Sequence, residues 1–105
     1  MSNPVNRLVI YRPKTGHADQ LLALLKKHAP VLREVGLLGP KPIELYRASD
    51  LSRGGPPSAP YFIEIFQWKD QAASGIAHET PAVMNVWETM GPHIETMTLT
   101  DLEPI

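Results

Sequence analysis

A chain of 105 residues with 43% hydrophobic and 20% charged side chains is sized for one folded unit, residues 1–105, of ordinary water-soluble composition. Its formal net charge of −1, with no Lys/Arg cluster along one face, argues against nucleic acid or anionic lipid as a partner, because both need concentrated positive charge. The absence of cysteine excludes disulfides, thiolate chemistry and cysteine-ligated metal, and with only short apolar runs and no basic-then-apolar leader after Met1, a cytoplasmic protein with no membrane partner is expected.

"NRLVIYRP", Asn6 to Pro13, has the β-branched and aromatic residues of a first strand, ended by Pro13. Alternation puts Asn6, Leu8 and Ile10 on one face and Arg7, Val9 and Tyr11 on the other. "KTGHAD" then supplies a helix start with Thr15 as its cap and Asp19 in the first turn. Ala18, Leu21, Leu22, Leu25, Ala29, Leu32 and Val35 recur at helical spacing as one apolar stripe. Pro30 inside this run predicts a kink, and Gly36 ends it.

A second strand is predicted from Pro42 to about Ser49. After it comes "LSRGGPPSAP", too rich in turn formers for a ladder and expected to be exposed and mobile. "YFIEIFQW" is the strongest strand, with Tyr61, Ile63, Ile65 and Gln67 on one face and Phe62, Glu64, Phe66 and Trp68 on the other. Both faces are largely apolar, so each needs a covering layer. Asp70 can cap a short helix through about Ala77, and Thr80-Pro81 restarts the helix. Val83, Val86, Trp87, Met90 and Ile94 form its apolar stripe, and "TMTLTDLEPI" closes the chain as a last strand.

The order strand, helix, strand, strand, broken helix, strand specifies a ferredoxin-like βαββαβ sandwich. It is an α+β fold with a four-stranded antiparallel sheet and both helices on one face. The second apolar sheet face is best buried by another copy of the same sheet, so a homodimer is expected.

With these elements in place, "NRLVIYRPKTG" leading into "HADQLLALLKKHAPVLREVGL", and above all "EIFQWKDQAASGIAHETPAVMNVWETM", resemble the dimeric α+β barrel superfamily and its antibiotic biosynthesis monooxygenase-like branch. The resemblance implies sheets paired into a barrel and a small-molecule pocket between sheet and helices. It implies several activities without choosing among them, because one fold hosts many. Cofactor-independent oxygenation is one; ligand binding without catalysis, including stress-responsive members, is another; haem binding or degradation is a third. Asn6 matches an Asn that haem-degrading relatives place near substrate. The axial His of those relatives, however, aligns with the stretch from Trp87 to Met90, and no cofactor is expected.

His78 stands at the break between two helical pieces, where neither apolar stripe claims it. It is the candidate proton carrier, or else a histidine bonded to backbone that fixes the break. Trp87, Trp68 and Phe66 are candidate aromatic walls for a flat substrate; for the two tryptophans core packing is the favoured reading, and Trp68 could line the dimer seam instead of a pocket. Tyr46 could donate a hydrogen bond to ligand. Arg47 could orient an anionic one, or pair with Glu64 or Asp50 at the barrel rim. Tyr11 and Glu64 are further polar strand residues, and His28 adjoins the first helix stripe, where it could approach the pocket or else be exposed or bonded. No histidine spacing suits a metal, "RGGPP" opens no helix for a phosphate, and no nucleophile elbow is present.

Overall fold

The computed structural model describes residues 3–105. Its elements are β1 (Val5–Pro13), α1 (Ala18–Glu34), β2 (Glu44–Ala48), β3 (Tyr61–Trp68), α2 (Ala73–Ala77), α3 (Pro81–Met90), a 3-10 turn (Gly91–His93) and β4 (Ile94–Leu102). The strands form one antiparallel sheet in the order β2-β3-β1-β4. This is the ferredoxin-like arrangement, in which two crossovers of one hand bring β1 and β3 to the centre.

Register divides the sheet into two unlike faces. Directly opposed residues share a side, so the pairs Arg7–Phe66, Val9–Glu64 and Tyr11–Phe62 belong to one face. The helices cover that inner face. Val9, Tyr11, Phe62, Glu64, Phe66 and Trp68 are buried there against Leu21, Leu25, His28 and Leu32 of α1 and Val83 and Met90 of α3. The outer face carries the pairs Leu8–Ile65 and Ile10–Ile63, all four half-buried in the single chain. Around them stand polar residues, among them Thr98 and Thr100 opposite Ile10 and Leu8.

Several local expectations are corrected. Thr15 does not cap α1. Gly16 takes φ 81, a left-handed turn open mainly to glycine, and the helix starts after it with His17 in the cap position. The His17 Nδ1 lies 2.9 Å from Nδ1 of His93, tying the start of α1 to the turn before β4. α1 continues through Pro30 to Glu34. β2 is shorter than expected, Glu44–Ala48. Asp70 Oδ1 accepts from the N–H groups of Ala72 and Ala73, both at 3.0 Å, at the entry to α2. Thr80 occupies the cap position of α3 with Pro81 next, but its hydroxyl donates back to the Ile76 carbonyl at 2.7 Å and does not cap.

The segment 51–60 is exposed throughout. Its base is pinned at Asp50, which accepts from the Tyr61 hydroxyl at 2.6 Å and whose N–H donates to Ser58 Oγ at 2.8 Å. Among the described residues no helix is long and apolar enough to cross a membrane.

Candidate functional site

α1 and α3 pack against each other over the sheet, and the inner side of β4 is left without a covering layer. Met97 and Leu99, on that side, remain 51% and 56% exposed. Between them and the broken α2–α3 segment opens a cavity of about 220 Å³. Phe66, Trp68 and Trp87 supply its aromatic walls, and Val9, Met90, Ile94, Met97 and Leu99 its aliphatic ones. Its polar lining comes from Arg7, Tyr11, His28, Ser74 and His78. A concave, mostly apolar site with few polar groups is the usual form of a small-molecule pocket.

The polar groups behind the cavity form a chain that starts at Glu64, 1% exposed on the inner face of β3. A buried carboxyl group without partners would be strongly destabilising. Here the Tyr11 hydroxyl donates to its Oε1 at 2.9 Å, and His28 Nδ1 lies 3.0 and 3.1 Å from its two oxygens. The other ring nitrogen fixes the proton. His28 Nε2 is 2.8 Å from Nε1 of Trp87, and an indole N–H can only donate, so Nε2 must be the acceptor and Nδ1 must carry the hydrogen. The His28–Glu64 contact has ion-pair distances, but a doubly protonated imidazole would set N–H against N–H at Trp87. His28 is therefore neutral while this arrangement holds. The result is a directed chain, Trp87 to His28 to Glu64, that fixes the indole as a cavity wall.

Burial, then the Glu64 charge and the hydrogen bond to it, push the Tyr11 hydroxyl far above its ordinary value. Tyr11 is thus a permanent donor to Glu64 and no base. His28, its lone pair occupied by Trp87, cannot take a proton from a ligand unless that indole moves.

His78 is exposed, at the C-terminal end of α2 on the cavity rim. Its ring stacks against Trp87 with centroids 4.8 Å apart and planes inclined by 58°. Its backbone N–H continues the helix to Ser74 O at 3.2 Å. Phe66 and Trp68 meet edge to face at 5.0 Å, and Arg7 lies over the Trp68 ring at 5.9 Å. His78, Trp87, Trp68 and Phe66 are therefore brought to one cavity.

Asn6, Tyr46 and Arg47 are not brought to it. Asn6 points to the outer face by strand alternation and accepts from Gln67 Nε2 at 3.1 Å. Tyr46, opposite Ile63, is on that outer face too. Arg47 is opposite Phe62 on the edge strand β2, exposed and outside the cavity lining. Neither ion pair expected for Arg47 forms, since Glu64 is held by His28 and Tyr11, and Asp50 lies 3.7 Å from Arg12. Arg7 and Ser74 line the cavity although the sequence does not single them out for it, and His28, for which the sequence allows an approach to the pocket or an exposed or bonded place, is buried, bonded and part of the lining. Among the described residues no group of three or more His, Cys, Asp or Glu could hold a metal ion.

The Tyr11 hydroxyl gives a pH prediction. Its folded-state value lies above the ordinary 10.0, so its contribution to stability is full below that pH. It declines above it, where the unfolded chain ionises first. Denaturant titrations should show wild-type stability falling as pH rises past about 10, with Tyr11→Phe losing about 1–3 kcal/mol at neutral pH and showing a shallower alkaline decline.

No family model and no curated protein sequence matches the chain. Among solved structures, it is similar to Rv0793 from Mycobacterium tuberculosis, at 19% identity and a TM-score of 0.74, over 98% of this chain and 96% of that one. It is similar to an antibiotic biosynthesis monooxygenase at 18% identity and a TM-score of 0.69, over 96% and 98% of the two chains. It is also similar to SnoaB, a cofactor-independent oxygenase from Streptomyces nogalater, at 10% identity and a TM-score of 0.68, over 99% and 95%. Identities this low speak for the fold and leave the reaction open. The chain has the α+β fold of the antibiotic biosynthesis monooxygenase-like proteins.

Proposed function

We propose that the protein is a homodimer that binds a flat aromatic or polyketide-like molecule in the cavity between sheet and helices. The observation that carries this reading is the Trp87 indole, held edge-on by the buried His28–Glu64 pair beside Phe66 and Trp68. A fixed aromatic wall favours a planar ligand, because the ordering is complete before the ligand arrives. The outer face supports the homodimer: Leu8, Ile10, Ile63 and Ile65 form an apolar centre that a second sheet would bury.

The similarity to a cofactor-independent oxygenase adds a reaction to this binding reading. His78, with its ring at the rim, would take the proton of a phenolic substrate. The electron-rich anion would then reduce dioxygen with the substrate as the sole reductant: one oxygen atom replaces the hydrogen of a ring C–H, the phenol leaves as a quinone, and the other oxygen leaves as water with the two hydrogens lost from O–H and C–H. A non-catalytic ligand-binding barrel is the second reading. It is favoured by the saturation of the buried polar groups, since Tyr11, Glu64 and His28 are bonded to protein partners.

Titration with 2-naphthol followed by tryptophan fluorescence tests the site. Wild type should be quenched saturably, and Trp87→Ala should bind at least about tenfold more weakly; equal binding by the two would overturn the assignment. Where an oxidisable phenol is turned over, His78→Ala abolishes oxygen uptake on the first reading, and unchanged uptake removes His78 as the base. Sedimentation equilibrium at micromolar concentration should give twice the chain mass, falling to one chain mass in Ile63→Glu. A wild-type monomer would refute the dimer.

A further inference from the structure

His17 and His93 lie outside the cavity lining, 76 residues apart in the chain, yet the fold brings their Nδ1 atoms to 2.9 Å. Histidine spacing along the sequence gives no sign of such a pair. A short backbone bridge holds both residues in place. His17 N–H donates to the Lys14 carbonyl at 2.9 Å, and Lys14 N–H donates to the His93 carbonyl at 3.0 Å. The His17 carbonyl in turn accepts from Leu21 N–H at 3.0 Å, in the first turn of α1. Both residues are half-buried, so the pair keeps access to solvent.

Two imidazole nitrogens this close share either a proton or a cation. With a proton between them, one ring donates and the other accepts. That contact is the one hydrogen bond either ring makes among the described residues, so each ring is free to carry its hydrogen on Nε2 and turn a bare Nδ1 to its neighbour. His28, with both ring nitrogens committed, has no such freedom. A divalent transition-metal ion bonds imidazole nitrogen at about 2.0–2.1 Å, which at the tetrahedral angle puts two such nitrogens about 3.3 Å apart. The pair reaches that separation by a small turn of the rings, because the outer torsion of histidine is broad. No third His, Cys, Asp or Glu completes the set among the described residues, so water or an outside ligand takes the other positions. We infer that His17 and His93 form an open two-histidine site for a late first-row divalent ion, Zn(II) or Cu(II), which clasps the start of α1 to the turn before β4. That turn and its exit carry Gly91 and Ile94 of the cavity lining, so the ion fixes one border of the cavity whatever the cavity binds.

Untagged protein titrated with Cu(II), the tightest binder of the first-row series, tests the site. One ion per chain should bind. His17→Gln and His93→Gln should each weaken binding at least about tenfold, the least that losing a second-shell partner of a metal ligand costs. Equal affinity in wild type and both variants would overturn the site. A second readout needs no variant to fold. Cu(II) is paramagnetic, so at a small fraction of one equivalent the ring-proton signals of His17 and His93 should broaden away first. Broadening that starts at His78 and spares this pair would overturn the assignment. Zn(II) in large excess should raise the melting temperature of wild type by several degrees, because the ion binds the folded pair alone, and leave the double variant unmoved. An unmoved wild type would overturn the clasp.

Discussion

Glu64 sits in the middle of the central strand β3, on the face that the helices cover, and is 1% exposed. The placing of Trp87 beside the cavity follows from how that carboxyl group is satisfied. A carboxyl group in such a place must accept hydrogen bonds from elements packed on it. Tyr11 provides one from the neighbouring strand and His28 another from α1. The bond from His28 turns the opposite edge of the imidazole into an acceptor, which takes the Trp87 N–H from α3. One buried acid thereby couples β1, β3, α1 and α3 through hydrogen bonds of 2.8–3.1 Å.

That coupling shapes the cavity. Trp87 belongs to an apolar stripe and could have turned fully into the core, yet it is half-buried, its edge on His28 and its ring against His78. The break between α2 and α3, set by Thr80-Pro81, carries His78 to the rim. Because the inner side of β4 is left bare, the space before Trp87 opens instead of closing. The Trp87 wall is therefore placed by a hydrogen bond within the chain before any ligand arrives, which reduces the entropy lost on binding.

Most of the fold was legible in the sequence because periodicity reports it directly. The alternation in "YFIEIFQW" gives the two faces of β3, and Thr-Pro gives the start of α3. The site was only partly legible. Trp87, Trp68, Phe66 and His78 stand out by residue type or by position at a break. His28 is placed only loosely by the sequence, because the apolar stripe of α1 runs by way of Ala29. The buried positions run Leu21, Leu25, His28, Leu32, and an acid on the inner face of β3 required a partner on just such a helix face. Asn6 and Tyr46 stand on the outer face, away from this cavity, and the sequence leaves that open for another reason. Alternation shows which residues share a face, but only the placed helices decide which face holds the cavity. Arg47 is on the helix side of the sheet, but on its edge strand, too far from the gap beside β4.

A neutral His28, protonated on Nδ1 toward Glu64, holds the Trp87 indole. Nitrogen NMR of histidine-labelled protein at neutral pH tests it most directly, because protonated and bare imidazole nitrogens resonate far apart. His28 should show a protonated Nδ1, a bare Nε2 and a scalar coupling across the hydrogen bond from Trp87 Nε1. A protonated Nε2 on His28 in the folded protein would contradict it.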